Sequence, residues 1–84
     1  MQQQNLQNEH ITVVLCEDQH GKPSIGISDI QDVNERRAYN KSKRGVEKAF
    51  EALKAAFTGK TTLYKAVEIL EANGVEMNEY NGVD

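Results

Sequence analysis

The sequence predicts a two-layer α+β domain in which an N-terminal antiparallel β-hairpin packs on a C-terminal helical hairpin, with a weak helix between them (ββααα). Three observations carry that expectation. Residues 10–16 and 24–28 alternate apolar and polar side chains with the period of a strand. Residues 46–58 and 62–73 repeat apolar side chains at helical spacing. Glycine, proline and threonine punctuate the joins between these segments.

The elements follow in chain order. Residues 1–9, MQQQNLQNE, are polar and without period, and read as a disordered lead-in. His10 to Cys16 is rich in β-branched residues, with Ile11, Val13 and Leu15 on one face and Thr12, Val14 and Cys16 on the other. Glu17 to Pro23 is a turn region. Ser24 to Ser28 alternates again, with Ile25 and Ile27 on one face. A lone hairpin is marginal in water, so this one must lie on something.

Ser28-Asp-Ile-Gln31 matches a capping box at a helix start. Ile30 and Val33 share one face of the weak helix that would follow. Those residues sit about 160° from Val46 on a helical wheel, so one helix cannot run through to Phe57. The chain is therefore expected to break or bend between Asn40 and Gly45.

Val46 to Thr58 is amphipathic, with Val46, Phe50, Leu53 and Phe57 on one stripe and Glu47, Lys48, Glu51 and Lys54 opposite. Gly59 is placed to stop this helix, and Thr61 or Thr62 to cap the next. The second stripe is Leu63, Ala66, Val67 and Leu70, ending at Asn73-Gly74 with Val75 as the apolar residue after the glycine. The domain is thus expected over residues 10–75, followed by an acidic flexible tail over 76–84.

With 84 residues and an apolar fraction of 38%, the chain makes one domain with a thin core. A deep enclosed pocket would remove core that it cannot lose, which argues against an enzyme. Cys16 is the only cysteine, so no intramolecular disulfide forms. No apolar run reaches the length of a membrane span, and the first residues lack the pattern of a signal peptide. A cytoplasmic setting is expected.

The chemistry-bearing residues form few recognisable patterns. Gly59-Lys-Thr-Thr62 resembles the end of a phosphate-binding loop, but Lys54 stands where the first glycine belongs and a helix precedes it. His10, Cys16 and His20 match no common zinc spacing. Glu17 and Asp18 would point to opposite faces of a strand. Neither a catalytic group, a metal nor another cofactor is therefore expected.

The net charge of −3 conceals a segregation. Residues 1–35 sum to −5, residues 36–60 to +6 and residues 61–84 to −4. Much of the basic middle is the solvent face of the amphipathic helix. The part without a helical explanation is Arg36, Arg37, Tyr39, Lys41, Lys43 and Arg44, cations flanking an aromatic ring. Such a set suits phosphates and bases, so nucleic acid is one candidate partner, and it also suits an acidic protein surface, where arginine and tyrosine are favoured anchors. These residues are the expected partner contact of a small non-enzymatic protein-binding module. By analogy of style alone, with no shared motif, the chain resembles phage- or plasmid-type accessory factors that modulate or inhibit a host protein or complex.

An alternative reading begins at the second helix. Thr62-Leu-Tyr-Lys-Ala-Val-Glu-Ile-Leu-Glu-Ala-Asn-Gly-Val75 resembles the recognition helix of winged-helix DNA-binding domains. In that family the helix N-terminus enters the major groove. The resemblance, confined to residues 62–75 and the cap before them, implies that Thr61, Thr62, Tyr64 and Lys65 face DNA in a small transcriptional regulator. Self-association into a homodimer would fit either reading.

Overall fold

A computed structural model describes residues 3–31 and 35–81. Among these residues the fold is α+β: one five-stranded antiparallel sheet carries two helices on one face. The strands are β1 (Gln4–Gln7), β2 (Ile11–Glu17), β3 (Pro23–Asp29), β4 (Arg37–Asn40) and β5 (Met77–Tyr80). The helices α1 (Val46–Ala56) and α2 (Leu63–Ala72) lie between β4 and β5 in the chain. Sheet order follows chain order, so every strand neighbours its predecessor.

The predicted hairpin is present, with β2 and β3 paired from Ile11↔Asp29 to Glu17↔Pro23. Ile11, Val13, Leu15, Ile25 and Ile27 point inward and are buried under the helices. From α1 the core receives Val46, Ala49, Phe50 and Leu53, and from α2 it receives Leu63, Ala66, Val67 and Leu70. The α2 stripe is the one that 3.6-residue periodicity selects, and Val46, Phe50 and Leu53 hold to theirs in α1, whereas Phe57 lies past the helix end and packs half-buried against the core.

The end of α2 realises the predicted glycine stop. Gly74 adopts a left-handed φ of 91°. Its N–H donates to the Glu71 carbonyl at 3.0 Å, and the Val75 N–H donates to the Leu70 carbonyl at 3.1 Å. This pair of bonds is the Schellman arrangement, and buried Leu70 and Val75 supply its apolar contact.

Four expectations are corrected. Residues 4–7 are not a disordered lead-in but edge strand β1, paired from Gln4↔Leu15 to Gln7↔Thr12. Leu6 packs against the core from this strand. Met77–Tyr80 is not a flexible tail but strand β5, held by Met77 in the core and by pairing with β4.

The weak helix is also not found where its cap was expected. Ser28 stays in the ladder, opposite Thr12 and Arg37. The Asp29 carboxylate instead accepts from the Gln31 N–H at 3.1 Å, a local turn. The long β2–β3 ladder overrides a cap with too little apolar stripe behind it. Residues 32–34 of the expected helix lie outside the described residues, and Arg37–Asn40 is strand β4.

Finally, Gly59 does not stop α1. The helix ends at Ala56, and Phe57 is already extended at φ −69°, ψ 130°. The link is built from threonines: the Thr58 N–H donates to Thr61 Oγ1 at 2.9 Å, and the Thr61 N–H returns to the Thr58 carbonyl at 3.3 Å. Thr62 is the N-cap of α2, accepting from the Lys65 N–H at 3.3 Å.

Candidate functional site: the open face of the sheet

The helices cover one face of the sheet and leave the other to solvent. Alternation along each strand fixes what that second face carries. β1 contributes Asn5 and Gln7, and β2 contributes Thr12, Val14 and Cys16. β3 contributes Ser24, Gly26 and Ser28, β4 contributes Arg37 and Tyr39, and β5 contributes Asn78 and Tyr80. Among these strand residues Arg37 is the one formal charge.

Two tyrosines dominate this face. Tyr39 and Tyr80 are diagonal neighbours on β4 and β5, since Tyr39 pairs with Asn78 and Arg37 with Tyr80. Their ring centroids are 5.7 Å apart with planes inclined at 58°. That is a tilted contact within the range in which aromatic pairs attract. They remain 41% and 52% exposed, so the pair keeps free ring surface. Beside them Arg37 lies 3.9 Å from Glu35, a loose exposed ion pair.

The remaining members of the basic stretch do not share one surface. Arg36 faces the helix side: its Nη1 donates to Tyr64 Oη at 2.9 Å and its guanidinium lies 5.8 Å from the Tyr64 ring centroid. Lys41 closes the β4–β5 ladder through its N–H to the Glu76 carbonyl at 2.7 Å. Lys43 Nζ is 3.1 Å from Asp18 Oδ2 and ties the β4–α1 link to the β2–β3 turn. Arg44 is exposed just before Gly45, whose left-handed φ of 69° starts α1.

Asp18 is the hub of that turn. Its Oδ1 accepts from the Lys22 N–H at 2.9 Å and from the His20 N–H at 2.8 Å. The Lys22 N–H foremost, then the His20 N–H and the Lys43 ammonium, hold the carboxyl down to about 2.

The residues expected to face DNA divide in the same way. Thr61 is 4% exposed and bonded into the α1–α2 link, so it is not available to a groove. The Thr62 hydroxyl is engaged as the helix cap. Tyr64 and Lys65 are exposed, with Lys65 3.4 Å from Glu68. The structure therefore joins one residue of each candidate set, Arg36 and Tyr64, on the helix side.

Sequence reasoning missed Tyr80, Asn78 and Gly26. The available signal was the Met77-Asn-Glu-Tyr80 alternation, with a buried methionine at one end. Soft metal ligands do not converge: among the described residues no group of three or more His, Cys, Asp or Glu side chains could hold an ion. Among the same residues no helix is long and apolar enough to cross a membrane.

The chain matches no protein-family model, no curated protein and no solved structure.

Proposed function

We propose that the chain is a non-catalytic protein-binding module that contacts its partner through the open face of the sheet. The observation that carries this reading is the Tyr39–Tyr80 pair, set beside Arg37 on a face whose other strand residues are Ser, Thr, Asn, Gln, Val, Cys and Gly. Tyrosine and arginine are the residues most often found at binding hot spots. Tyrosine offers broad contact area at low entropic cost, and serine and asparagine offer adaptable hydrogen bonds. The partner this face fits is a protein surface with apolar side chains against the two rings and a carboxylate opposite Arg37. Phosphate backbones need several convergent cations, and the strand residues of this face, among those described, supply one, Arg37. Modulation or inhibition of the partner is the role such a module would perform.

The test is affinity capture by the full chain and by Tyr39→Ala, Tyr80→Ala and Arg37→Glu variants, each checked for folding by circular dichroism. A protein retained in stoichiometric amount by the wild type and lost with any of the three supports the assignment. Equal retention by all three overturns the placement of the contact. Single-stranded or duplex oligonucleotide binding that weakens steeply with salt, without protein capture, overturns the partner class.

A further inference from the structure

We infer that the outer edge of β1 is a self-pairing seam, and that a second copy of this chain docks there to continue the sheet. The hydrogen-bond phase of β1 fixes which of its backbone groups face outward. The Asn8 N–H donates to the Ile11 carbonyl at 3.1 Å. In an antiparallel ladder bonded and non-bonded pairs alternate, so Leu6↔Val13 and Gln4↔Leu15 are also bonded pairs. The backbone N–H and C=O groups of Asn5 and Gln7 therefore point away from β2, out of the sheet.

An edge of this kind is normally blunted by charge or proline. From Gln3 to Asn8 the chain has neither. The opposite edge differs. There the Lys41 N–H to Glu76 carbonyl bond, at 2.7 Å, leaves the Met77 and Glu79 backbone groups pointing outward. Glu76 and Glu79 are exposed along that edge, so pairing two copies of β5 would gather carboxylates on one seam. β1 carries no charged side chain of its own, and the guarded edge is β5.

The β1 edge is complementary to itself. A two-fold axis beside Leu6 pairs Asn5 with Gln7 of the second copy, and Gln7 with its Asn5. Each outward N–H then meets an outward C=O. On the open face the same pairs bring Asn5 and Gln7 amides side by side, and every amide is both donor and acceptor. On the helix side the axis brings Leu6 against the Leu6 of the second copy, in the closer, non-hydrogen-bonded type of pair. Leu6 is only half-buried and already packs on the core, as does Phe57 at the end of α1. The Lys54–Gln4 and Asn8–Thr58 hydrogen bonds place the end of α1 at this edge. Pairing thus extends the apolar layer across the seam while the sheet gains strands. It would also set two open faces side by side as one surface.

The test is sedimentation of the full chain from micromolar to millimolar concentration. The wild type is expected to pass from monomer to dimer across that range. Asn5→Pro removes an outward donor but no bond to β2, so it should abolish association with little change in thermal midpoint. Two further variants separate pairing from misfolding. Asn5→Lys with Gln7→Lys, and Asn5→Glu with Gln7→Glu, should each remain monomeric, and an equimolar mixture should associate. A wild type that stays monomeric at millimolar concentration overturns the inference. A dimer that survives Asn5→Pro, or a charge-swapped mixture that does not associate, also overturns it. None of these outcomes bears on the Tyr39–Tyr80 contact, which is read from captured partner.

Discussion

The Tyr39 ring lies across Gly26: a β-carbon built at Gly26 would stand 3.4 Å from Tyr39 Cε1 and 3.6 Å from Cδ1. The two residues are direct cross-strand partners on the open face. Glycine weakens a strand through entropy and missing contacts, and a neighbouring aromatic ring that covers it restores part of the loss. The position of the ring thus depends on there being nothing larger than a methyl group opposite it.

That relationship gives the first prediction. At Gly26 an added methyl makes ordinary contact with the ring, so Gly26→Ala should leave stability within about 1 kcal/mol of wild type. Gly26→Val should displace the ring without unfolding the sheet. Tyrosine ring resonances, with urea unfolding as the control, would register both. Partner capture lost with Gly26→Val but kept with Gly26→Ala would tie the ring position to binding.

The aromatic pair itself should be measurable. A double-mutant cycle on Tyr39→Ala and Tyr80→Ala should show a coupling of about 0.5–1 kcal/mol, because the rings touch and are neighbours across the ladder. Chemical denaturation of the four proteins supplies the numbers. A coupling of zero would mean that β5 is held by Met77 and its ladder alone.

The two glycines near the helix ends should behave oppositely. Gly74 has φ 91°, so Gly74→Ala forces a side chain into the left-handed region and should cost about 1 kcal/mol. At Gly59 the backbone is not left-handed and an added β-carbon meets nothing within 4 Å. Gly59→Ala should therefore be neutral or slightly stabilising. Thermal midpoints of the two variants decide the matter.

These glycines also show what was legible in the sequence. Both precede or follow a helical stripe, and a stop glycine explains either position equally well by pattern. Only Gly74 has the residues that complete the stop, with Leu70 and Val75 positioned to touch. The same limit governs the strands. β2 and β3 repeat their apolar residues two or three times and so reveal their period. β1, β4 and β5 each span four residues with one main inward apolar anchor, respectively Leu6, Ala38 and Met77. One apolar residue has no period, and these strands exist because the neighbouring ladder offers partners. The open face was hidden for the same reason, since half of it comes from the short strands. In the basic stretch, charge alone could not show that Arg36 and Arg37 take opposite sides of one strand end.

Asp18 predicts the acid behaviour of the β2–β3 turn. Its folded carboxyl titrates at about 2, below the ordinary value of 3.8, so the native state favours the ionised form. The stabilisation this confers is complete above about pH 4 and is lost as pH falls toward 2. Solvent around this exposed turn keeps the effect small. Asp18→Asn should lower the thermal midpoint near neutral pH and flatten its decline between pH 4 and 2. An unchanged acid limb in the variant would show that another carboxylate governs it.

One side chain joins the sheet to the helices. The Asn8 side chain donates to the Thr58 carbonyl at 2.8 Å and to the Thr61 carbonyl at 2.9 Å. Its Oδ1 accepts from the His10 N–H at 2.7 Å and from the Ile11 N–H at 2.9 Å. One amide therefore closes the β1–β2 turn and fastens it to the α1–α2 link, with donor and acceptor both used. Asn8→Asp keeps the two acceptor contacts but replaces the donor by an anion facing two carbonyls, so it should cost more than loss of the bonds alone. Asn8→Ala loses all four and should cost about 2 kcal/mol, with solvent replacing part of what is removed. If the amide works as a clamp, amide exchange should rise together at Ile11 and in the α1–α2 link. A rise confined to one side would mean that the two contacts are independent.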